Sequence, residues 1–291
     1  MEKHKTTQQL RGAIMSMPEF KEANRQHLRA SSLGGFEPRT NVEAVLSEDK
    51  LVPLFEHIQS VWQKLGETEP YWSVLVQERF KQANISDPED FYKTGKNDLL
   101  RIQATLQRVG LDPQFPKSCL EYGCGLGRAT RWLADAYQEV HGVDISAAHL
   151  AQAKNYFDTT NISNVTFHHM TKLGDLDALP RVDLIYTAIV LQHNPPPVIV
   201  HTLRRLLRAL NPGGVAIFHL PTYRDKYSFV LEDYMEKAKG ETKMEMHAVP
   251  QQVIFQLISD EGAICLEALE DERGRIPNRP SLSNLFVVQK L

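Results

Sequence analysis

The stretch LEYGCGLGRAT, residues 120–130, decides the fold. It begins inside the apolar segment KSCLEY, residues 117–122, for which we predict a strand. It ends inside RATRWLADAYQ, residues 128–138, for which we predict a helix. The intervening turn carries three glycines, which let the backbone bend tightly and approach a ligand closely. The start of the following helix offers free N–H groups and a partial positive charge. The stretch therefore predicts a strand–turn–helix unit with a ligand at the turn.

Downstream of this turn, short apolar runs alternate with helical patterns. Strands are predicted at 140–145, 164–169, 182–189 and 214–220, and helices at 147–157, which Ser146 caps, and at 198–210. This alternation indicates right-handed crossovers and a parallel α/β sheet. After a helix at 250–262, two strands follow at 263–271 and 283–291 with no helix between them, so we expect them to be antiparallel neighbours.

The first part of the chain has a different pattern. Helices are predicted over 1–32, 51–65, 71–84 and 95–109, and no strand is predicted before residue 117. We therefore expect a helical extension or cap over 1–112 and an α/β domain over 113–291.

Composition restricts the classes of protein that the chain can belong to. The 291 residues carry a net charge of −3, which gives no electrostatic reason to expect a nucleic-acid partner. The three cysteines form no metal-binding pattern and predict free thiols in a reducing compartment. No apolar run approaches the ~20 residues of a membrane span. We expect a cytoplasmic protein with no transmembrane segment.

Two carboxylates accompany the glycine turn. Glu121 stands two residues before the first glycine, and Asp144 ends the next strand in VHGVDIS, residues 140–146. A carboxylate at the second position can accept both hydroxyls of a ribose. Alternatively, Asp144 stabilises the helix that begins near residue 147. Arg128 stands where the dinucleotide-binding fingerprint has its last glycine.

At this point the sequence resembles the class I S-adenosylmethionine-dependent methyltransferases, over residues 117–291. The residues that carry the resemblance are Glu121–Gly127, Val143–Ser146, 182–193 and 210–221. It implies a Rossmann-like, doubly wound, seven-stranded, mostly parallel sheet whose last strand is antiparallel. It also implies S-adenosyl-L-methionine as the cofactor. The sequence shows no Asp/Asn/Glu cluster typical of a metal site, so we do not require a metal.

The resemblance implies roles by position. Glu121 would face the methionine amino group, Asp144 the ribose hydroxyls and Ile145 the adenine. The glycines of the turn would line the methionine and ribose: Gly123, Gly125 and Gly127. The stretch HHMTKLGD, residues 168–175, departs from the family, because Met170 and Thr171 stand where Gly-Asp is common. These two residues are our expected adenine contacts, with Leu173 as a further apolar wall and Asp175 as the alternative.

The end of the fourth strand should pass beside the transferred methyl group. Thr187, Ala188 and Ile189 would contact the methionine there, and Gln192 and His193 would open onto the acceptor. An acceptor hydroxyl must lose a proton, and histidine titrates near working pH. His193 is the first candidate base, although it could merely close the strand.

The remaining candidate residues lie on other segments. His219, at the end of the fifth strand, is the second candidate base. Tyr223 and His247 are weaker candidates that would bind the acceptor. Segments 61–75 and 91–95 are similar to those preceding the glycine turn in bacterial methyltransferases of surface-polysaccharide or glycoside synthesis. This similarity suggests that Tyr71 and Trp72 stack on a sugar or an aromatic acceptor, whereas Trp62 is expected in the core.

We therefore predict methyl transfer to an oxygen of a small-molecule acceptor, such as a sugar or glycan precursor. Four alternatives stay open: methylation of nitrogen, methylation of carbon, a non-catalytic cofactor-binding scaffold and a nucleotide-dependent dehydrogenase. The run Asn194–Pro197 resembles a motif of amino-group methyltransferases, but it lies too late after the strand and lacks the aromatic residue. We expect Asn194 to cap the next helix instead.

Overall fold

The computed structural model describes residues 40–237, 244–271, 273 and 281–291. The predicted helix over 1–32 lies outside these residues. Seven strands form one sheet. They are β1 (Ser118–Tyr122), β2 (Glu139–Asp144), β3 (Val165–His169), β4 (Val182–Thr187), β5 (Leu210–Arg224), β6 (Ala263–Glu270) and β7 (Ser281–Lys290).

The strand order in the sheet is β3-β2-β1-β4-β5-β7-β6. Strands β1 to β5 pair in parallel, whereas β7 is antiparallel to both β5 and β6. The predicted Rossmann-like sheet with an antiparallel last strand is therefore confirmed. Strands β2 and β3 are added on one side of β1, and β4 and β5 on the other, so the direction of strand addition reverses between β1 and β4. The carboxyl ends of β1 and β4 are neighbours at this point. Ligands bind at such a point in open α/β sheets.

Helices cover the sheet and precede it. They are α1 (Glu48–Thr68), α2 (Pro70–Val74), α3 (Pro88–Thr94), α4 (Lys96–Arg108), α5 (Thr130–Ala136), α6 (Ala147–Thr159), α7 (Pro196–Arg208), α8 (Leu231–Lys237) and α9 (Gln251–Asp260). Ser146 caps α6 as predicted, because its Oγ accepts from the backbone N of His149 at 3.3 Å. Within the described part, no helix has the length and apolarity needed to span a bilayer. The cytoplasmic location stays a prediction.

Three local predictions were wrong. The helix expected over 71–84 is only α2 followed by a 3₁₀ turn at Glu78–Phe80. Strand β5 runs on to Arg224, so His219 does not end it. Asn194 does not cap α7, whose N-cap is Pro195. Its Nδ2 instead donates to the backbone carbonyls of Val190 and Leu191, at 3.2 and 3.3 Å.

Helix α1 packs into the same core as the sheet. Its apolar residues recur at helical spacing and are buried, Leu54 and Ile58 among them. On its other positions, Gln59 Nε2 donates to the Met170 carbonyl at 2.9 Å, and Gln63 Oε1 accepts from the Ala148 backbone N at 3.2 Å. The described part of the extension is therefore joined to the α/β domain next to the ends of β2 and β3.

Candidate functional site

The glycine turn after β1 has a backbone that only glycine adopts easily. Gly123, Gly125 and Gly127 have φ values of 74°, 53° and 79°. A Cβ on Gly123 would lie 2.3 Å from Val190 Cγ1, and a Cβ on Gly125 would lie 2.8 Å from Val74 Cγ2. The turn is thus enclosed by the end of β4 on one side and by α2 on the other.

Asp144 joins the end of β2 to this turn. Its Oδ2 accepts from the backbone N of Gly125 at 2.8 Å, and its Oδ1 accepts from the backbone N of Ser146 at 2.9 Å. A carboxylate has about four acceptor positions, so each oxygen can accept a further hydrogen bond. The carboxylate thus supports the start of α6 and also lines the cavity beside it. Both roles considered for Asp144 are geometrically possible at once.

A cavity of about 630 Å³ opens over the carboxyl ends of β1, β2 and β4. This volume is in the range of small-molecule sites. Ten of the predicted site positions or their neighbours line it: Glu121, Gly123, Gly125, Arg128, Asp144, Ile145, Ala188, Ile189, Gln192 and His193. The opposite wall comes from the helical extension, through residues of 73–79 and 94–101. The extension therefore forms one wall of the cavity.

Glu121 is buried at the base of the cavity. Its Oε2 accepts from Thr130 Oγ1 at 2.5 Å. Burial, the largest effect, raises the pKa of Glu121 to about 8, although Thr130 and Arg128 favour the charged form. A cationic group in the cavity would stabilise the carboxylate and lower this pKa. Glu121 is therefore placed to respond to an ammonium group of a ligand.

Arg128 contacts a partner that the sequence did not indicate. Its Nη2 donates to Oδ2 of Asp98 at 2.6 Å, and the hydroxyl of Tyr186 donates to Oδ1 of the same carboxylate at 2.6 Å. Asp98 belongs to α4 and lies 30 residues before Arg128, so no local pattern could link them. This network connects the extension, the glycine turn and β4.

The end of β4 also carries strain and an unpartnered amide. Ile189 has a φ of 59°, which is unusual for a branched residue. Residues with such strained backbones cluster at functional sites. Gln192 is fully buried, and neither its Oε1 nor its Nε2 has a hydrogen-bond partner among the described residues. A buried amide without a partner is costly. Because Gln192 lines the cavity, a ligand can supply the missing hydrogen bonds.

His193 is held in one tautomer. Its Nδ1 lies 2.7 Å from the carbonyl oxygen of Glu245, and its ring lies 5.4 Å from that of Trp62. Since a carbonyl oxygen only accepts, Nδ1 carries the proton and Nε2 is the basic nitrogen. Burial lowers the pKa of His193 to about 4, so the ring is neutral at pH 7. Trp62 packs on the core, as expected. It also lines the cavity, which was not expected.

Several predicted contacts lie outside the cavity wall. His219 is fully buried inside β5, and neither ring nitrogen has a hydrogen-bond partner in the described chain. His247 lies between the Tyr227 hydroxyl and Glu245, at 2.8 and 2.7 Å. Tyr71 packs edge-on against Phe91 at 5.1 Å. The residues that do not line the cavity are Tyr71, Trp72, Gly127, Met170, Thr171, Thr187, His219, Tyr223 and His247.

The predicted adenine contacts are already used within the protein. Met170 is buried, and its backbone contacts Gln59 and Asp144. Thr171 donates from both its backbone N and its Oγ1 to Asp175, at 2.7 and 2.9 Å, so this carboxylate closes a local turn. Ile145 is the predicted adenine contact that does reach the cavity.

Cysteines and metal ligands add no second centre in the described residues. Cys119, Cys124 and Cys265 are free, as predicted, and the structure places all three in buried positions. No group of three or more His, Cys, Asp or Glu side chains converges there in a way that could hold a metal ion.

Comparisons with known proteins agree with this geometry. Residues 119–214 match the family model described as methyltransferase domain. The chain is 31% identical over 124 residues to malonyl-[acyl-carrier protein] O-methyltransferase of Pseudescherichia vulneris, covering 41% of this chain and 45% of that protein. It is 30% identical over 128 residues to trans-aconitate 2-methyltransferase of Rhodopseudomonas palustris BisA53, covering 43% and 46%. The chain thus spans less than half the length of these curated relatives.

Solved structures share the fold over four fifths of the chain. Magnesium protoporphyrin IX methyltransferase from Synechocystis PCC 6803, solved with bound S-adenosylhomocysteine, superposes with a TM-score of 0.54 at 16% identity, covering 80% of this chain and 98% of that chain. N-methyltransferase NodS from Bradyrhizobium japonicum WM9 gives 0.51 at 18% identity, with the same coverages. The chain therefore has the class I methyltransferase fold.

Proposed function

We propose that the chain transfers a methyl group from S-adenosylmethionine to an oxygen atom of a small-molecule acceptor. The observation that carries this proposal is the pairing of Asp144 with the backbone N of Gly125 at the floor of the cavity. It brings a carboxylate with spare acceptor positions next to a turn without side chains. A nucleoside bearing a ribose and an amino-acid tail fits such a pair of features.

The other cavity residues fit the same cofactor. The ribose hydroxyls would donate to Asp144, and the adenine would lie against Ile145. The methionine amino group would approach Glu121. Burial disfavours the charged form of this carboxyl, and the ammonium group would stabilise that form. The unpartnered amide of Gln192 would bind the methionine end or the acceptor. The buried position of Met170 leaves the far side of the adenine site to other residues.

When bound, the cofactor supplies a methyl group on a positively charged sulfur, and the protein has to align the acceptor with it. The turn at 123–127 and the end of β4 hold the donor, while α1 and α2 exclude water. His193 Nε2 would take the proton of an acceptor hydroxyl. Its pKa of about 4 keeps His193 unprotonated at neutral pH, but it also makes the ring a weaker base than a histidine at 6.5, the value on which the sequence-based choice of His193 depended.

Oxygen is the attacking atom that the relatives favour. The named curated relatives include O-methyltransferases whose names specify malonyl-[acyl-carrier protein] and ubiquinone biosynthesis. A sugar acceptor was our finer prediction, and it depended on Tyr71 and Trp72 stacking in the site. Neither residue lines the cavity, so we propose a small-molecule acceptor without specifying a sugar. Trp62 is the aromatic wall that an acceptor ring would meet.

The alternatives are separated by ligand binding. Calorimetric titration should detect S-adenosylhomocysteine binding and no comparable binding of NAD, which would exclude the dehydrogenase. Asp144→Ala should weaken the binding of S-adenosylhomocysteine about 10- to 100-fold, the scale of lost hydrogen bonds to a charged group. Asp158→Ala, on the solvent side of α6, is the matched control. Tight NAD binding without S-adenosylhomocysteine binding would overturn the proposal.

Catalysis requires a second measurement. Methyl-labelled S-adenosylmethionine should label a product in a small-molecule extract, and an alkyl ether or ester product would identify oxygen as the acceptor atom. A labelled amine or carbon product would select one of the alternative acceptors. Cofactor binding with no labelled product would favour the non-catalytic scaffold.

A further inference from the structure

The charged residues that line the cavity are not balanced. Four arginines line it, namely Arg79, Arg101, Arg128 and Arg273, together with three carboxylic acids, namely Asp98, Glu121 and Asp144. Burial raises the pKa of Glu121 to about 8, which makes this side chain largely neutral at pH 7. The wall is therefore cationic before any ligand enters.

Two of the four arginines are already paired. Arg128 forms its ion pair with Asp98 at 2.6 Å, and Arg273 forms one with Asp271 at 2.5 Å. Their positive charges are neutralised within the protein. These pairs leave the other two guanidinium groups as the source of the excess charge.

Arg79 and Arg101 lie on different elements but face the same cavity. Arg79 belongs to the 3₁₀ turn Glu78–Phe80, and Arg101 belongs to α4, one turn after Asp98. Both side chains are exposed, and neither forms an ion pair with any described carboxylate. Arg79 uses Nε to donate to Gln77 Oε1 at 3.0 Å, which leaves both terminal nitrogens for another partner.

The unpartnered amide of Gln192 adds a third donor on the opposite wall. Its Nε2 is buried without a hydrogen-bond partner among the described residues. Guanidinium groups bind carboxylates and phosphates through two parallel hydrogen bonds, which gives both affinity and orientation. The guanidinium of Arg79 also lies over the Phe80 ring, at 4.5 Å, which holds it in place without neutralising its charge. An amide donor and two guanidinium groups without an ion-pair partner thus line one cavity and form a set of donors for an oxyanion.

We propose that the hydroxyl-bearing acceptor also carries an oxyanion group, a carboxylate or a phosphate, which Arg79 and Arg101 bind at the mouth of the cavity. This inference rests on the proposed function. The donor does not remove this excess, because the net positive charge of its sulfonium, ammonium and carboxylate groups offsets the charge that Glu121 gains on releasing its proton. An anionic acceptor would pair with Arg79 and Arg101, whereas a neutral acceptor leaves both guanidinium groups without an ion-pair partner among the described residues.

The test uses the full chain saturated with S-adenosylhomocysteine. Two anions serve as probes, propane-1,2,3-tricarboxylate and inorganic pyrophosphate, and the neutral propane-1,2,3-tricarboxamide serves as the uncharged analogue. Calorimetric titration at low salt should detect one of the anions and not the amide. Arg79→Gln and Arg101→Gln should each weaken the bound anion about tenfold or more, as expected for loss of a charged hydrogen-bond donor. The affinity for S-adenosylhomocysteine should stay within about twofold.

Arg181→Gln is the matched control, because Arg181 is exposed and directly precedes the amino end of β4, whereas the cavity lies at the carboxyl end of that strand. It should leave both affinities unchanged. The tricarboxylate and the pyrophosphate arms tell a carboxylate acceptor from a phosphate-bearing one. Binding of neither anion to the loaded chain, or anion affinities in Arg79→Gln and Arg101→Gln equal to wild type, would overturn the inference while leaving the proposed function intact. Absence of S-adenosylhomocysteine binding would instead remove the proposed function, and anion binding is then measured on the unloaded chain.

Discussion

Arg128, in the glycine turn, donates from Nη2 to Oδ2 of Asp98, in helix α4, over 2.6 Å. Both side chains are largely buried, with exposed fractions of 19% and 10%. The same carboxylate accepts from the Tyr186 hydroxyl on β4. The helical extension is thereby tied to the two strands that end beneath the cavity, so the extension and the α/β domain form one site.

Asp98→Asn should destabilise the protein by about 3 kcal/mol, the scale of breaking a buried ion pair from one side. The asparagine leaves the Arg128 guanidinium without its counter-charge in a largely buried position. Urea denaturation followed by circular dichroism measures the free energy of unfolding. Asp90→Asn is the control, because Asp90 pairs with Lys93 on an exposed surface and should show no measurable change. Equal stability of Asp98→Asn and wild type would show that this pair does not hold the extension.

Gly125→Ala should abolish cofactor binding and reduce stability by about 1–3 kcal/mol, the cost of a strained backbone. The residue has a φ of 53°, and an added Cβ would lie 2.8 Å from Val74. Gly174→Ala is the control, since its Cβ would meet no atom within 4 Å and should change stability by less than about 0.5 kcal/mol. Calorimetry with S-adenosylhomocysteine and thermal melting give the two readouts. Normal binding by Gly125→Ala would mean that the ligand does not approach this part of the turn.

Glu121 should release a proton when the cofactor binds. Burial raises its pKa to about 8, so the side chain is mostly protonated at pH 7, and an adjacent ammonium group favours the carboxylate. The affinity for S-adenosylhomocysteine should therefore rise with pH between about 5 and 8, by up to about tenfold per unit. Calorimetry in buffers of different ionisation enthalpy counts the released protons. Glu121→Gln should release none, and an equal release by this variant would assign the proton to another group.

The sequence predicts the α/β domain because its information is local. Glycines next to a strand, a carboxylate at the end of β2 and alternating apolar runs each depend on neighbouring residues. For this reason the mostly parallel sheet, its antiparallel last strand and the cap at Ser146 agree with the structure. The predicted end of strand β5 was wrong, because the pairing of β5 with β7 continues beyond the apolar run of β5.

The cap contributes contacts that no local pattern encodes. Gln59 reaches the Met170 carbonyl across 111 residues, and Asp98 reaches Arg128 across 30. The arginines at 79 and 101 look like ordinary surface residues until the fold places both on one cavity. Helical periodicity showed which face of α1 is buried, but it could not show what lies against the polar positions of that helix.

His193→Ala should lower turnover on an oxygen acceptor about 10²-fold or more, the usual effect of losing a general base. The proton on Nδ1 faces the Glu245 carbonyl, so Nε2 is the nitrogen that can accept the acceptor proton. The affinity for S-adenosylhomocysteine should change little. His219→Ala is the comparison variant, because His219 was the second candidate but lies inside β5 away from the cavity wall. Loss of turnover in His219→Ala with normal turnover in His193→Ala would reverse the assignment.

The stability of the fold should depend on pH through the same ring. Burial lowers the pKa of His193 from 6.5 to about 4, so the unfolded chain binds a proton more readily than the folded chain. The stabilisation is fully present above pH 6.5 and is lost as the pH falls from 6.5 towards 4, by about 3 kcal/mol for a shift of this size. Urea denaturation of wild type and His193→Gln at pH 7 and pH 4.5 measures it. The variant should lose less stability than wild type on acidification, whereas His169→Gln, an exposed histidine on β3, should behave as wild type. Identical acid sensitivity of His193→Gln and wild type would mean that the ring at position 193 is not kept neutral by burial.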